Sequence, residues 1–346
     1  MEERLPQVIP MDVDHSFRGK PHHCGGRFKS PPSPHSDGRQ SREMIQVLWH
    51  LLRRGNLPLS DVSDHLWTRE QALEGLGRHV SGEASNAEIQ LTWLGQSCFY
   101  FRVGGLGIVT DPFLGKRASP IRYSGPKRLV VSPLTLQDLD IDVIVMSHNH
   151  YDHFCAETLS QVRNKASITV ITTLGLKPLF ESLGYRRVLE LDWYDQARIG
   201  EVSFYGLPAY HFSGRSLWDA DATLWASFGI DAPEGRLFFA GDTGYGPAFR
   251  EAGSLTGPYD IALVPIGAYA PRSVFAAVHA SPEEAVAMGE DLGAERLVGM
   301  HWGTVRLTTE PFWEPREKFL DHQRGPAREV LAIGETRSVP VGRSSS

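Results

Sequence analysis

The run Ser147-His148-Asn149-His150-Tyr151-Asp152-His153-Phe154 constrains this chain more than any other stretch. It follows Ile141-Asp142-Val143-Ile144-Val145, a β-branched apolar segment that reads as a short buried strand. Four side chains able to bind a metal (His148, His150, Asp152 and His153) then fall within six residues. A compact loop after a strand can aim all four into one cavity. Imidazole nitrogens with a carboxylate suit zinc, with manganese or iron as rivals.

Further on, Leu237-Phe238-Phe239-Ala240 runs into Gly241-Asp242-Thr243-Gly244. A carboxylate at the end of a buried strand is costly unless something neutralises it, and the flanking glycines let backbone approach closely. A metal-bridging aspartate accounts for both features better than a turn does. His211 and His301 also stand at the ends of strand-like runs, and Asp111 follows Gly107-Ile108-Val109-Thr110. Asp111 either caps a turn or serves the metal loop. The residues alone leave both readings open.

These motifs occur with Thr92-Trp93-Leu94-Gly95, Arg117-Ala118-Ser119-Pro120, Gly125-Pro126-Lys127-Arg128, Pro265-Ile266-Gly267-Ala268-Tyr269 and His301-Trp302-Gly303-Thr304. Together they resemble the metallo-β-lactamase superfamily and, within it, the N-acylphosphatidylethanolamine-hydrolysing phospholipase D family. The resemblance covers roughly residues 27 to 335 in the family's order. It implies an α/β fold, the αββα four-layer sandwich of that superfamily. It also implies two zinc ions, with manganese or iron as alternatives. By resemblance His148, His150 and His211 hold one ion, Asp152, His153 and His301 the other, and Asp242 bridges them. Asp152 would also pass a proton to the leaving alkoxide. His279 matches a family position near the substrate phosphate, from which it could donate to a phosphoryl oxygen. One position departs: the family follows Leu94-Gly95 with histidine, and this chain has Gln96. Glutamine still hydrogen-bonds but offers no charged imidazolium, which leaves the role of that position open.

With 346 residues the chain has length for two domains, though α/β enzymes of this size often form one. The expected division is an extended, partly disordered arm (1–40), a helical segment packed on the core (41–87) and a hydrolase domain (88–340). Hydrophobic residues at 41% and charged residues at 22% suit a globular protein. No apolar run reaches the ~18–20 residues of a membrane helix, and Met1-Glu2-Glu3-Arg4-Leu5-Pro6 lacks the apolar centre of a signal peptide. The expected location is cytoplasmic, and peripheral membrane association is compatible with it. A net charge of −6 argues against nucleic-acid binding. It leaves a phosphate substrate open, because local charge decides that. Cys24, Cys98 and Cys155 suggest no disulfide framework, and Cys155 reads as a buried thiol. A homodimer is compatible with the sequence.

Residues 1–40, rich in Pro, Gly, His and Ser, show no period, and His22-His23-Cys24 reads as solvated rather than ligating. Met44, Ile45, Leu48, Leu51 and Leu52 recur at helical spacing over 41–54. That stripe either packs on the body or borders a lipid groove. A second helix is expected over Thr68–His79. Lys116, Arg117, Arg122, Lys127 and Arg128 read as solvated charge, with contact to anionic lipid as the rival. Past the metal loop, helices at 156–164 and 176–183 alternate with strands at 167–172, 187–191 and 201–205, implying α/β layers. Ser281-Pro282-Glu283-Glu284 opens a helix, and Val330–Ile333 suggests an edge strand. The elements before and after about Asp195 read as the two halves of a sandwich.

The expected activity is a dinuclear zinc phosphodiesterase of phospholipase D type. It would cleave N-acylphosphatidylethanolamine, a phospholipid substrate, to N-acylethanolamine and phosphatidic acid. One alternative keeps the metal core but acts on a smaller phosphodiester or a phosphorylated lactone. The other is a non-catalytic membrane-binding protein, against which all seven ligand positions are filled.

Overall fold

The computed structural model describes residues 6–17, 19–35, 65–80, 88–121, 123–216 and 218–342. The apolar helix expected over 41–54 lies outside the described residues. In chain order the strands are β1 (Val8–Pro10), β2 (His23–Cys24), β3 (Arg27–Phe28), β4 (Glu88–Gly95), β5 (Cys98–Val103), β6 (Leu106–Thr110), β7 (Val143–Val145), β8 (Thr169–Thr173), β9 (Arg187–Leu191), β10 (Asp195–Ile199), β11 (Val202–Leu207), β12 (Ser227–Asp231), β13 (Arg236–Phe239), β14 (Ile261–Pro265), β15 (Arg296–Met300), β16 (Ala327–Glu329) and β17 (Thr336–Pro340).

Two sheets carry the fold, in the orders β17-β4-β5-β6-β7-β8-β9 and β1-β10-β11-β12-β13-β14-β15-β16. The chain passes from one to the other between β9 and β10, where the sequence suggested a division. Its first and last strands exchange sides: β1 pairs with β10, and β17 with β4.

Each sheet contains a parallel run, β6 to β9 and β13 to β16. Val143-Ile144-Val145 and Ile261-Ala262-Leu263-Val264 lie inside these runs and are buried throughout. Continuous apolar runs are what parallel strands need when both faces are covered. Trp93, Phe99 and Phe101 from one sheet share a buried cluster with Phe204, Phe228 and Phe239 from the other. Each such side chain contributes about 1.5–3 kcal/mol of transfer free energy. On the outer face of the seven-stranded sheet, Tyr100, Val109 and Ile144 meet Leu159 and Phe180 of the helices Ala156–Ser160 and Lys177–Ser182. Helices Pro282–Asp291 and Glu314–Asp321 lie against β14, β15 and β16 of the other sheet. The layers are helix, sheet, sheet, helix, the αββα sandwich.

Some element boundaries differ from expectation. The helix after the metal loop stops at Ser160 rather than Asn164. No edge strand forms at Val330–Ile333. Leu331 and Ile333 are buried instead, Ile333 makes an isolated bridge to Leu66, and Gly334 (φ 89°) turns the chain into β17. Those apolar residues anchor a loop in the core.

The described part of the N-terminal segment is not a loose arm. β1 extends the eight-stranded sheet, and Met11 and Phe17 are buried. His22, expected in solvent, is 3% exposed and stacks on Trp193 at 4.3 Å. Asp192 is the reason. Its Oδ1 lies 2.7 Å from His22 Nε2, and its Oδ2 lies 2.8 Å from His23 Nε2 and 2.7 Å from Lys20 Nζ. Burial alone would raise the pKa of Asp192, but His22 and Lys20 outweigh it and hold the carboxyl well below its ordinary value. A depressed carboxyl stabilises the fold fully above the unfolded value of about 4, and that contribution fades as pH falls towards the folded value. Asp192→Asn should therefore cost about 1.5–3 kcal/mol in urea unfolding at pH 7. The gap from the parent protein should narrow steadily below pH 4.

Candidate metal centre

The chain delivers its metal-binding side chains from the C-terminal ends of four strands, where α/β sheets commonly bind ligands. His148, His150, Asp152 and His153 follow β7; His211 follows β11, Asp242 follows β13 and His301 follows β15. His150 Nδ1 lies 2.9 Å from His148 Nε2 and 3.2 Å from His211 Nε2. Asp242 Oδ2 stands 3.9 Å from His148 Nε2 and 3.8 Å from His211 Nε2. The same oxygen is 3.0 Å from His153 Nε2 and 3.2 Å from His301 Nε2. Asp152 Oδ2 lies 3.4 and 3.1 Å from those two nitrogens. The seven expected side chains thus form two groups that share Asp242: His148, His150 and His211 on one side, Asp152, His153 and His301 on the other.

The outer nitrogens of three rings fix which way their lone pairs point. His153 Nδ1 lies 2.6 Å from Asp111 Oδ2, and His211 Nδ1 lies 3.0 Å from the Val278 carbonyl oxygen. Ser147 Oγ donates to Asp111 Oδ2 at 2.5 Å, so at 2.8 Å it accepts from His148 Nδ1. Each ring therefore donates outward through Nδ1 and leaves Nε2 facing inward, the orientation that binding a cation requires. Asp111, ambiguous in the sequence, is the residue that holds His153, and it also accepts from Ser147 N at 2.7 Å.

Charge divides the centre. Burial, reinforced by the neighbouring imidazoles, holds His148 well below its ordinary pKa, and burial takes His150 down to about 4. His211 is likewise depressed by burial. These rings are neutral near pH 7. For His153 and His301, burial is outweighed by the carboxylates around them; His153 rises well above its ordinary value and His301 to about 9. Asp152 and Asp242, which burial would raise, are held well below theirs by His153 and His301. Protons on the second pair of rings thus occupy the place that a cation's charge would take. Asp242 Oδ1 is also buried without a hydrogen-bond partner among the described residues. Convergent ring nitrogens, an orphaned carboxylate oxygen and an N/O donor set fit a dinuclear metal site.

His279 stands over both groups, with its ring centroid 5.1 Å from that of His211 and 5.4 Å from that of His301. Burial lowers its pKa to about 4, and its Nδ1 has no partner. Arg272 Nη1 donates to its carbonyl at 2.7 Å, while Ser281 and Glu284 form the capping box of the next helix.

Several supporting residues escaped the sequence reading. Arg128, grouped there with solvated charge, is 3% exposed and donates to the carbonyls of Leu94, Phe113 and Val130. Arg215 lies over the Tyr151 ring at 3.8 Å and donates to the carbonyls of Asn149 and Phe154, bracing the metal loop. Gln96 Nε2 donates to Asp152 Oδ2 at 2.8 Å. Away from the centre, His22, His23 and Asp192 also bring ligand atoms together. The Lys20 ammonium already sits on Asp192 there, so that cluster is charge-balanced and acts as a clasp.

Residues 107–302 match the family described as the Beta-lactamase superfamily domain. An uncharacterized protein of Mycobacterium tuberculosis is 38% identical over 245 residues, which are 69% of this chain and 64% of that protein. The N-acyl-phosphatidylethanolamine-hydrolyzing phospholipase D 1 of Caenorhabditis elegans is 36% identical over 271 residues, 75% of this chain and 76% of its own. This chain belongs to the metallo-β-lactamase superfamily, in the N-acylphosphatidylethanolamine-hydrolysing phospholipase D family. Among solved structures, an isothiocyanate hydrolase from Delia radicum gut bacteria shares the fold, with a TM-score of 0.58, 20% identity, and coverage of 72% of this chain and 98% of that one.

The two groups of donors sharing Asp242 fit the two-metal centre expected of this metallo-β-lactamase branch. In such centres the groups behind the ligands matter nearly as much as the ligands. Asp111→Asn keeps the shape but removes the charge facing His153 Nδ1. It should weaken metal retention about 10- to 100-fold, read as metal content after dialysis against graded chelator. Retention equal to the parent would remove Asp111 from the centre.

Proposed function

We propose that this protein is a zinc phosphodiesterase that hydrolyses N-acylphosphatidylethanolamine to N-acylethanolamine and phosphatidic acid. The observation that carries the reading is the convergence of all seven metal-binding side chains in a relative of the Caenorhabditis elegans phospholipase. Two bound zinc ions would supply Lewis acidity to the phosphoryl group and make water acidic enough to attack near neutral pH.

The chain's own groups supply the rest. In the reaction a water oxygen bonds to phosphorus, the bond from phosphorus to the ethanolamine oxygen breaks, and that oxygen takes up a proton. Asp152 would accept the proton lost by water and return it to the leaving oxygen. His279, neutral near pH 7, donates its ring N–H to a phosphoryl oxygen as negative charge gathers there. Ile121, Tyr123 and Trp218 are 59, 81 and 86% exposed. They sit on loops that leave the same strand ends as the metal ligands, with Lys116, Arg117 and Lys127 nearby in sequence, which supports peripheral contact with an anionic membrane. Among the described residues no helix is long and apolar enough to cross a membrane.

Zinc-loaded protein should release N-acylethanolamine from N-acylated phosphatidylethanolamine in mixed micelles. Rapid cleavage of a chromogenic diester without lipid turnover would reassign the substrate, and silence on both with two zinc ions bound would refute catalysis. His279→Ala should lower kcat about 100-fold with zinc content unchanged. Asp242→Asn should lose both metal and turnover.

A further inference from the structure

We propose that Gln96 is a positioning residue that sets how tightly the second cation is held, the one assigned to Asp152, His153 and His301. The proposal rests on the two-cation reading of the centre. Gln96 is 1% exposed, and its amide nitrogen donates to Asp152 Oδ2, the oxygen that also lies 3.1 Å from His301 Nε2. The amide orientation follows from chemistry: the opposite one would set the amide oxygen against a carboxylate oxygen. Among the described residues Gln96 Oε1 is buried without a partner, and the side chain's one hydrogen bond is to Asp152.

The backbone of Gln96 is tied to the same half of the centre. Its carbonyl accepts from His301 N at 3.1 Å and from Trp93 Nε1 at 3.0 Å, while its own N–H donates to Thr304 Oγ1 at 2.8 Å. Arg128 Nη2 holds the Leu94 carbonyl at 2.6 Å, two residues before it. One residue therefore fixes two ligands of one cation, Asp152 through its side chain and His301 through its main chain. Neither Gln96 group touches His148, His150 or His211, so the first cation lies outside its reach. This chain orients the carboxylate with a donor that bears no charge. An amide turns Asp152 towards the centre without placing a positive group beside the second cation.

The full-length protein and its Gln96→Met and Gln96→His variants, loaded with zinc, are dialysed against graded chelator and analysed for metal. Thermal melting of each metal-free protein is recorded in parallel. The parent should bind two zinc ions. Gln96→Met keeps the length and loses the donor; it should release its second equivalent at 10- to 100-fold weaker chelation, keep its first, and melt as the parent does without metal. Gln96→His restores a ring N–H and should hold the second equivalent more tightly than Gln96→Met. Identical release curves for the parent and Gln96→Met would overturn the proposal. So would parallel loss of both ions with a lowered metal-free melting point, which marks a packing role. A parent protein that never takes up a second zinc would instead sink the two-cation reading itself.

Discussion

Buried negative charge sets the terms for this molecule. Asp111, Asp152 and Asp242 are each less than 10% exposed and lie within one cluster of imidazoles. Removing such an ion from water costs several kcal/mol unless geometry and hydrogen bonds return it. Asp111 is satisfied by protein alone, through Ser147 and His153. Asp152 and Asp242 are not: the imidazole nitrogens nearest both of them are His153 Nε2 and His301 Nε2, atoms that a cation would take. A lone pair beside a carboxylate is repulsive, and only a proton or a cation between them makes the contact favourable. Much of the surrounding structure serves to keep those atoms from moving apart.

The backbone shows the same constraint. Gln96, Asp111 and His301 all take left-handed conformations, with φ of 54°, 30° and 61°. For residues other than glycine that costs about 1–3 kcal/mol each. Each is held by long-range bonds: Gln96 N to Thr304, Asp111 N to the Val145 carbonyl, and His301 N to the Gln96 carbonyl. Gly241, just before Asp242, has φ 59°, and a Cβ there would lie 2.6 Å from Ser147 Cβ. Ser147 carries both His148 and Asp111, so a side chain at 241 would push on two parts of the centre at once. Arg128 performs the corresponding task beneath Gly95. It supplies donors to three carbonyls that no strand satisfies, and a Cβ on Gly95 would meet its guanidinium at 2.5 Å.

What could be read from the sequence was what is local. His148 to His153 announce themselves because four ligands follow one strand within six residues. The capping box at Ser281 is legible for the same reason. His211 and His301 each follow a strand-like run, but their role as ligands and the pairing of ligands to cations came from resemblance. Arg128 and His22 were misread because their partners lie far away: a charged run looks solvated until Leu94, Phe113 and Val130 are known to surround it. Asp192, 170 residues from His22, could not have been matched to it by any periodicity. Gln96 was visible as a departure from the family, but its meaning needed the position of Asp152. The edge strand expected at Val330–Ile333 failed in the opposite way, since apolar residues there serve burial in a loop rather than pairing.

The two sheets contribute unequally to the centre, and that has a thermodynamic consequence. His148 to His153 leave the seven-stranded sheet, whereas His211, Asp242 and His301 leave the eight-stranded one. Each cation would therefore join ligands from both sheets. A ligand that only the folded chain can bind adds RT ln(1 + [L]/Kd) to stability, about 2.7 kcal/mol at a hundredfold excess over Kd. Joining the sheets at this edge also opposes the sliding that would separate Asp152 from Asp242. Without cations, protons shared among His153, His301 and the two carboxylates can balance charge. They cannot do the same for His148, His150 and His211, whose mutual repulsion and burial keep them neutral. Cohesion at that end of the sandwich then falls to hydrogen bonds, chiefly those of the Arg215 brace and of the Asn149 side chain that accepts from Gly214 N. With both cations gone the first half of the centre is the looser one, because only the second has a charge substitute built in.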